Sequence, residues 1–184
     1  SRLDARVPVP NRYFGVFQDG EIKVRGIELR RHDTPLFISL VQQELLDLLS
    51  SATTAAELPG LLPAVQTLLR RRLADLRHGR VPPEKLIVRQ TISRELDLYK
   101  TPSPAAVAAR QLQALGKSLR PGQSVRFVYT LGETKLRAWD LPGKMDPRTV
   151  DTREYRKLLL RAAESILTPP PPPPPAQEGG APRP

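Results

Sequence analysis

Near the N-terminus, apolar and polar positions alternate with a period of two. Arg12 to Phe17 is aromatic and β-branched, Asp19-Gly20 is a turn dipeptide, and residues 22–30 run on as a second extended segment, so the pattern predicts a β-hairpin. The second strand changes parity. Ile22 and Val24 share one parity, Ile27 and Leu29 the other, and Gly26 sits at the change. That predicts a β-bulge, or a place where another backbone comes close. Residues 1–10 alternate weakly through Leu3, Val7 and Val9, while Pro8 and Pro10 exclude a central strand, leaving an approach loop or an edge.

Beyond residue 33 the period lengthens to that of helices. Thr34 as N-cap and Pro35 at the first helical position open a helix to residue 49, with Leu36, Leu40, Leu45, Leu48 and Leu49 on a broad apolar face. Thr54-Ala-Ala-Glu57 matches a capping box, which Pro59-Gly60 stops within about a turn. Residues 61–77 form a second helix with Val65, Leu68, Leu69, Leu73 and Leu76 as its stripe and Gly79 as its stop. Residues 85–92 read as a strand, Leu86 and Val88 facing one way and Ile87 and Arg89 the other. Ser103-Pro104 opens an alanine-rich helix that ends at Gly116, and Arg120-Pro121-Gly122 is a turn. Residues 125–130 alternate strictly and turn at Gly132-Glu133 into residues 134–139. Asp151 caps a last helix over 152–167, with Tyr155, Leu158, Leu159, Ala162 and Ile166 on its inner face. The predicted class is α+β: a β-hairpin followed by a mainly helical unit with a small β-element.

Composition narrows the chemistry. The chain has 184 residues, long enough for a real core, and its charge of +10 favours a polyanionic partner. Cysteine is absent, which excludes disulfides and thiolate metal sites. His32 and His78 are far apart, and Asp4, Asp19, Glu28 and Asp33 are too scattered to form a metal cage. Asp33 reads instead as an ion-pair partner of Arg30 or Arg31. No Walker loop, GxSxG or HExxH motif is present. Charged residues or proline interrupt every leucine cluster, so no membrane-spanning helix is expected, and the dispersed cations make a membrane-surface role the weakest reading. The start, Ser-Arg-Leu-Asp-Ala-Arg, has no initiator Met and no signal-peptide core, as expected of a fragment or truncated gene product. Residues 169–175 are seven consecutive prolines, predicting a polyproline II tail that frays into disorder.

The candidate site residues are basic. Arg12, Tyr13, Lys23, Arg25, Arg30 and Arg31 surround Gly26, and five cations with a phenol beside a glycine suit a phosphate backbone. Arg89, Arg94 and Lys100 bracket the 85–92 strand and the loop after it. Arg70, Arg71, Arg72 and Arg77 on the second helix admit two readings, a phosphate-binding face or solvated cations near the negative end of the helix dipole; the second is preferred.

Asn11-Arg12-Tyr13 followed by Gly15, then Arg25-Gly26-x-Glu28-x-Arg30-Arg31-x-Asp33, resembles the end of the palm domain in family B DNA polymerases, in its prokaryotic branch. The family's Lys-x-Tyr motif has Asn11 in the lysine position here, which puts that one contact in doubt. The order Tyr99, Pro104, Ala109, Leu115-Gly116, Pro121-Gly122, Val125, Tyr155, Ile166-Leu167 is similar to the family's thumb, although a histidine common in relatives is Ala105. The resemblance implies a palm end over 1–35, a thumb over 36–168 and a tail over 169–184. It implies grip on a primer–template duplex, in DNA replication or repair, through Arg12, Tyr13, Lys23, Arg25, Gly26, Arg30, Arg31, Arg89, Arg94 and Lys100. The family's carboxylate motifs, Asp-x-x-Ser-Leu-Tyr and Tyr-Gly-Asp-Thr-Asp, are absent, as is its lysine-bearing fingers helix. The chain alone is therefore expected to be inactive and to hold no cofactor, with magnesium expected in the remainder of the palm. The partners implied are primer–template DNA and the rest of palm, fingers and exonuclease, in the cytoplasm at the nucleoid. Two alternatives are a free-standing basic RNA- or ribosome-binding protein and a purely structural remnant with an unpaired sheet edge.

Overall fold

The computed structural model describes residues 33–167 and the backbone of three strands at residues 3–9, 12–17 and 22–25. Strands β1 (Leu3–Val9), β2 (Arg12–Phe17) and β3 (Ile22–Arg25) form an antiparallel sheet in the order β1-β2-β3. The hairpin predicted from residue 12 onward is thus joined by an edge strand, the position in which Pro8 is tolerated because its missing N–H faces no neighbour. The register shifts between Leu3 and Ala5, a bulge at Asp4. The predicted turn at Asp19-Gly20, the parity change at Gly26 and the tail over 169–184 lie outside the described residues.

Helix α1 runs Leu36–Leu49. Pro35 is its N-cap rather than its first residue, so the helix begins one position later than its sequence predicts. The shift has a cause. Pro35 takes ψ 144°, an extended value, and only its carbonyl joins the helix, accepting from Ser39 N–H at 3.1 Å. The buried face also differs: Phe37, Ile38, Val41, Gln42, Leu45, Leu46 and Leu49 point inward, while Leu36 and Leu40 are exposed.

A 3₁₀ segment, Ala55–Leu61, follows, and Glu57 accepts from the backbone N–H of Thr53 and Thr54. Pro59 does not stop the chain; the segment carries through it into α2 (Leu62–Arg77). Leu62 N–H bonds to Pro59 O, and Pro63 falls in the first turn of α2, where a missing N–H has no intrahelical acceptor to lose. Gly79 ends α2 at φ 67°, with Gly79 N–H bonded to Leu76 O and Arg80 N–H to Asp75 O, the paired closure that a left-handed residue makes possible. The same closure recurs at Gly116, φ 80°, where Lys117 N–H reaches Leu112 O beyond α3 (Pro104–Gln113). Ser103 caps α3 through its hydroxyl on Ala106 N–H.

The second sheet is shorter than its sequence predicts. Strand β4 is Val88–Thr91, because the prolines at 82 and 83 draw residues Pro83–Leu86 into a 3₁₀ turn and remove Leu86 from the strand. It pairs with β5 (Ser124–Tyr129), which pairs with β6 (Leu136–Ala138) in an antiparallel order β4-β5-β6. Asp151 caps α4 (Thr152–Leu167), accepting from the N–H groups of Arg153 and Glu154. Tyr155, Leu159, Ala162, Ala163 and Ile166 form its buried stripe, with Leu158 half-buried.

Two apolar clusters hold the body together. The larger joins α1, α3, α4 and the second sheet around Phe127, Ile92, Tyr155 and Leu159; the smaller joins Leu45, Leu46, Leu49, Val65, Ala163 and Ile166 at the α1–α2–α4 junction. The first sheet is carried on this body, since β1 and β2 lie against α4 and β1 also meets the 3₁₀ segment. The whole is an α+β fold.

Candidate nucleic-acid interface

The pleat of the first sheet sorts the predicted basic residues. Tyr13 stands opposite Arg25 on one side and Pro8 on the other; Gly15 stands between Lys23 and Arg6. Successive strand residues alternate between faces, so Tyr13, Gly15, Lys23 and Arg25 share one face. Arg12 has the opposite parity, opposite Val9, and belongs with Phe14 and Val16 on the other face. The structure therefore separates Arg12 from Tyr13, Lys23 and Arg25, with which the sequence grouped it. It adds Arg6, which sequence reasoning passed over because the prolines at 8 and 10 left residues 1–10 open between a loop and an edge. Gly26, Arg30 and Arg31 lie outside the described residues, and with them the predicted pairing of Asp33.

The second group sits on β4 and the loop after it. Arg89, Arg94 and Lys100 are all exposed. Arg89 stands opposite Arg126 on β5, and Arg126 is held by Asp140 at 2.5 Å, so that one cation of the pair is neutralised from the neighbouring loop. Arg94 lies over the ring of Tyr99, 5.5 Å from its centroid, a cation–π contact. The Tyr99 hydroxyl lies 3.1 Å from the Ser93 hydroxyl and accepts from Ser93 N–H at 3.2 Å. Hydrogen bonds from Ser93, the side-chain one foremost, hold the Tyr99 phenol below its usual range against the opposing effect of burial, with the Arg94 backbone and charge adding least. The loop is fixed at both ends. Ile92 exchanges backbone bonds with Gln123 and Gly122, and the Arg110 guanidinium donates to Leu96 O at 3.0 Å. Donors on a fixed loop meet a rigid polyanion with little further ordering.

Between the start of α1, the second sheet and α4 lies a groove of about 290 Å³ bordered by Asp33, Pro35, Ile38, Gln90, Tyr129, Glu154 and Arg161. Burial raises the Tyr129 phenol above its usual range, and the charges of Glu154 and Asp33 add to the effect. Among the described residues no group of three or more His, Asp or Glu side chains could hold a metal ion, so none of them fits a resident metal. No described helix is long and apolar enough to cross a membrane.

A three-stranded antiparallel sheet set on a helical body that carries a second three-stranded sheet defines an α+β unit. The chain belongs to DNA polymerase family B, whose sequence profile matches residues 11–166. It is 24% identical over 156 residues to DNA polymerase 1 of Saccharolobus solfataricus, covering 84% of this chain and 17% of that protein. It is 27% identical over 160 residues to the DNA polymerase of Thermococcus kodakarensis, covering 85% of this chain and 9% of the relative. The solved family B DNA polymerase from the hyperthermophilic archaeon Pyrobaculum calidifontis superposes with a TM-score of 0.68 at 25% identity, over 84% of this chain and 20% of that one. The chain thus spans a fifth or less of these relatives. The match favours the polymerase reading over a free-standing RNA- or ribosome-binding protein.

Proposed function

We propose that this chain is the duplex-gripping part of a DNA-directed DNA polymerase, with residues 1–35 as the end of the palm and 36–168 as the thumb. The observation that carries this reading is the register of the first sheet, in which Tyr13, Lys23 and Arg25 share a face around Gly15. Cations and a phenol there meet phosphates and minor-groove acceptors, which every Watson–Crick pair offers, so the grip is independent of sequence. Arg89, Arg94 and Lys100 extend it along the duplex, and the family resemblance assigns Gly26, Arg30 and Arg31, outside the described residues, to the same grip. The metal-dependent transfer of nucleotides belongs to the rest of palm and fingers, where magnesium is held, and the chain by itself is inactive.

The test is binding of the purified chain to a fluorescent primer–template and to structured RNA of equal length across a salt series. Preference for the primed duplex is expected, with the slope of log affinity against log salt falling by about 0.9 for each phosphate that Lys23→Ala or Arg25→Ala leaves unneutralised. Unchanged duplex affinity in both variants, or stronger binding to RNA, sinks the reading.

A further inference from the structure

A second basic groove, of about 600 Å³, lies between α2 and the first turns of α4. Among the described residues, its charged lining is Arg70 and Arg77 from α2 with Arg153 and Arg156 from α4, and no carboxylate lines it. All four arginines are exposed, and none is in an ion pair with a described residue; Arg77 lies 3.4 Å from the His78 ring nitrogen. Their neighbours differ. Arg72 is gripped by both oxygens of Glu44 and by Asp75, and Arg80 by the other oxygen of Asp75. Glu44 and Asp75 are therefore spent on Arg72 and Arg80, outside the groove.

Helix electrostatics explain only part of this set. Arg77 lies in the last turn of α2, where a cation complements the dipole. Arg153 and Arg156 lie at the opposite kind of end, in the opening turns of α4, where the N–H groups already present positive charge. Asp151 already caps that end, and Glu154 lies in its first turn, yet neither carboxylate is in an ion pair with Arg153 or Arg156. An anion in the groove would neutralise both arginines.

Among the described residues, none of those assigned to the primed duplex, Arg89, Arg94 and Lys100, lines this groove. At about 100° per helical residue, Arg153 and Arg156 flank one side of the buried α4 stripe. Glu154, Leu158 and Arg161 flank the other side, where they border the groove that holds Asp33 and Pro35.

We infer that the Arg70–Arg77–Arg153–Arg156 groove is a second phosphate-binding site, which takes the phosphodiester backbone of a nucleic-acid strand other than the duplex held at the first sheet. Guanidinium groups suit that ligand because each can present two parallel N–H donors to one phosphate. The inference rests on the proposed function only for the class of ligand.

The test uses the full 184-residue chain. Wild type, the Arg70→Ala/Arg156→Ala double variant and the Lys23→Ala/Arg25→Ala double variant are titrated with single-stranded DNA and with primer–template, across salt. The groove variant is expected to lose single-strand affinity on the order of tenfold, its salt slope falling by about 0.7 for each phosphate no longer neutralised. Primer–template affinity at the first sheet is expected to hold in that variant and to drop in the other. Weaker binding in the groove variant alone would leave this site standing and sink the reading of the first sheet; weaker binding of duplex and single strand alike would make the groove an extension of the duplex surface and overturn the separate site. In the unmodified chain, bound single strand should protect Arg70, Arg77, Arg153 and Arg156 from phenylglyoxal while leaving exposed Arg148 reactive. No protection, or protection by an acidic peptide that the oligonucleotide cannot displace, overturns the proposal.

Discussion

The Tyr155 hydroxyl donates to the carbonyl of Leu86 at 2.6 Å, joining residues 69 apart in the chain. The same oxygen accepts from Tyr129 N–H at 3.0 Å. Val88 pairs with Phe127, so the ladder continued by two residues would pair Leu86 with Tyr129. The 3₁₀ turn after Pro82 pulls Leu86 out of the strand, and the phenol from α4 bridges the gap. It stands where a ladder hydrogen bond would have been. Burial raises this phenol well above its usual range, so the bridge keeps its proton at neutral and mildly alkaline pH.

Tyr155→Phe should therefore destabilise the chain by about 1–3 kcal/mol, the cost of stranding a buried donor or acceptor. Urea unfolding measures it, with a lowered midpoint and an unchanged slope. A midpoint equal to wild type would mean that water reaches Leu86 and Tyr129.

Gln111 does similar work at the far edge of the same sheet. Its side-chain oxygen accepts from Ala138 N–H at 2.7 Å and its nitrogen donates to Leu136 O at 3.0 Å, as a fourth strand would. Gln111→Leu keeps the bulk and removes both bonds, at a cost of roughly 1–3 kcal/mol. The amides of Leu136 and Ala138 should exchange faster with deuterium in the variant, and unchanged exchange there would refute the edge role.

Gln42 is the opposite case. It is fully buried on α1, and neither its oxygen nor its nitrogen has a hydrogen-bond partner among the described residues. Gln42→Met, of similar length and apolar, should raise stability by about 1 kcal/mol by removing a desolvated amide. Thermal unfolding gives the sign directly. A lower Tm would show that the amide is satisfied in solution.

Acid should loosen the α1–α2 junction. Burial alone would raise the Asp75 carboxyl, but hydrogen bonds from Arg72 and Arg80 outweigh it and hold the group below its usual value of 3.8. A depressed folded pKa stabilises the fold above the unfolded value and loses that contribution as pH falls through the folded one. Stability should then be level with respect to Asp75 above about pH 5 and decline below pH 4. Tm against pH for wild type and Asp75→Asn tests it, since the acid slope should be shallower in the variant.

Much of the fold was legible before any coordinates. Asp151, Ser103, Gly79 and Gly116 mark helix ends by local chemistry, and all four behave as expected, because caps depend on residues within one turn. Strict alternation over 125–130 likewise yields β5. Legibility failed where two local signals competed. Pro8 left residues 1–10 open between a loop and an edge, which the structure resolves as the edge strand β1, and Pro35 and Pro59 each acted differently from the expected start and stop, because proline restricts one φ angle and one donor without choosing the neighbours.

The sequence by itself determined the family, the α+β class, the helix caps and the basic character of the surface, since these are properties of short segments and of summed charge. Only the tertiary structure decided which cations stand together. It moved Arg12 off the face of Tyr13 and Arg25, brought Arg6 beside Gly15, and set Arg153 and Arg156 against Arg70 and Arg77 from a distant part of the chain. Strand register and helix packing set those neighbours, and both follow from burying apolar stripes elsewhere on the same elements. Charge has little say in where the stripes meet, so the grouping of charges cannot be read until they do.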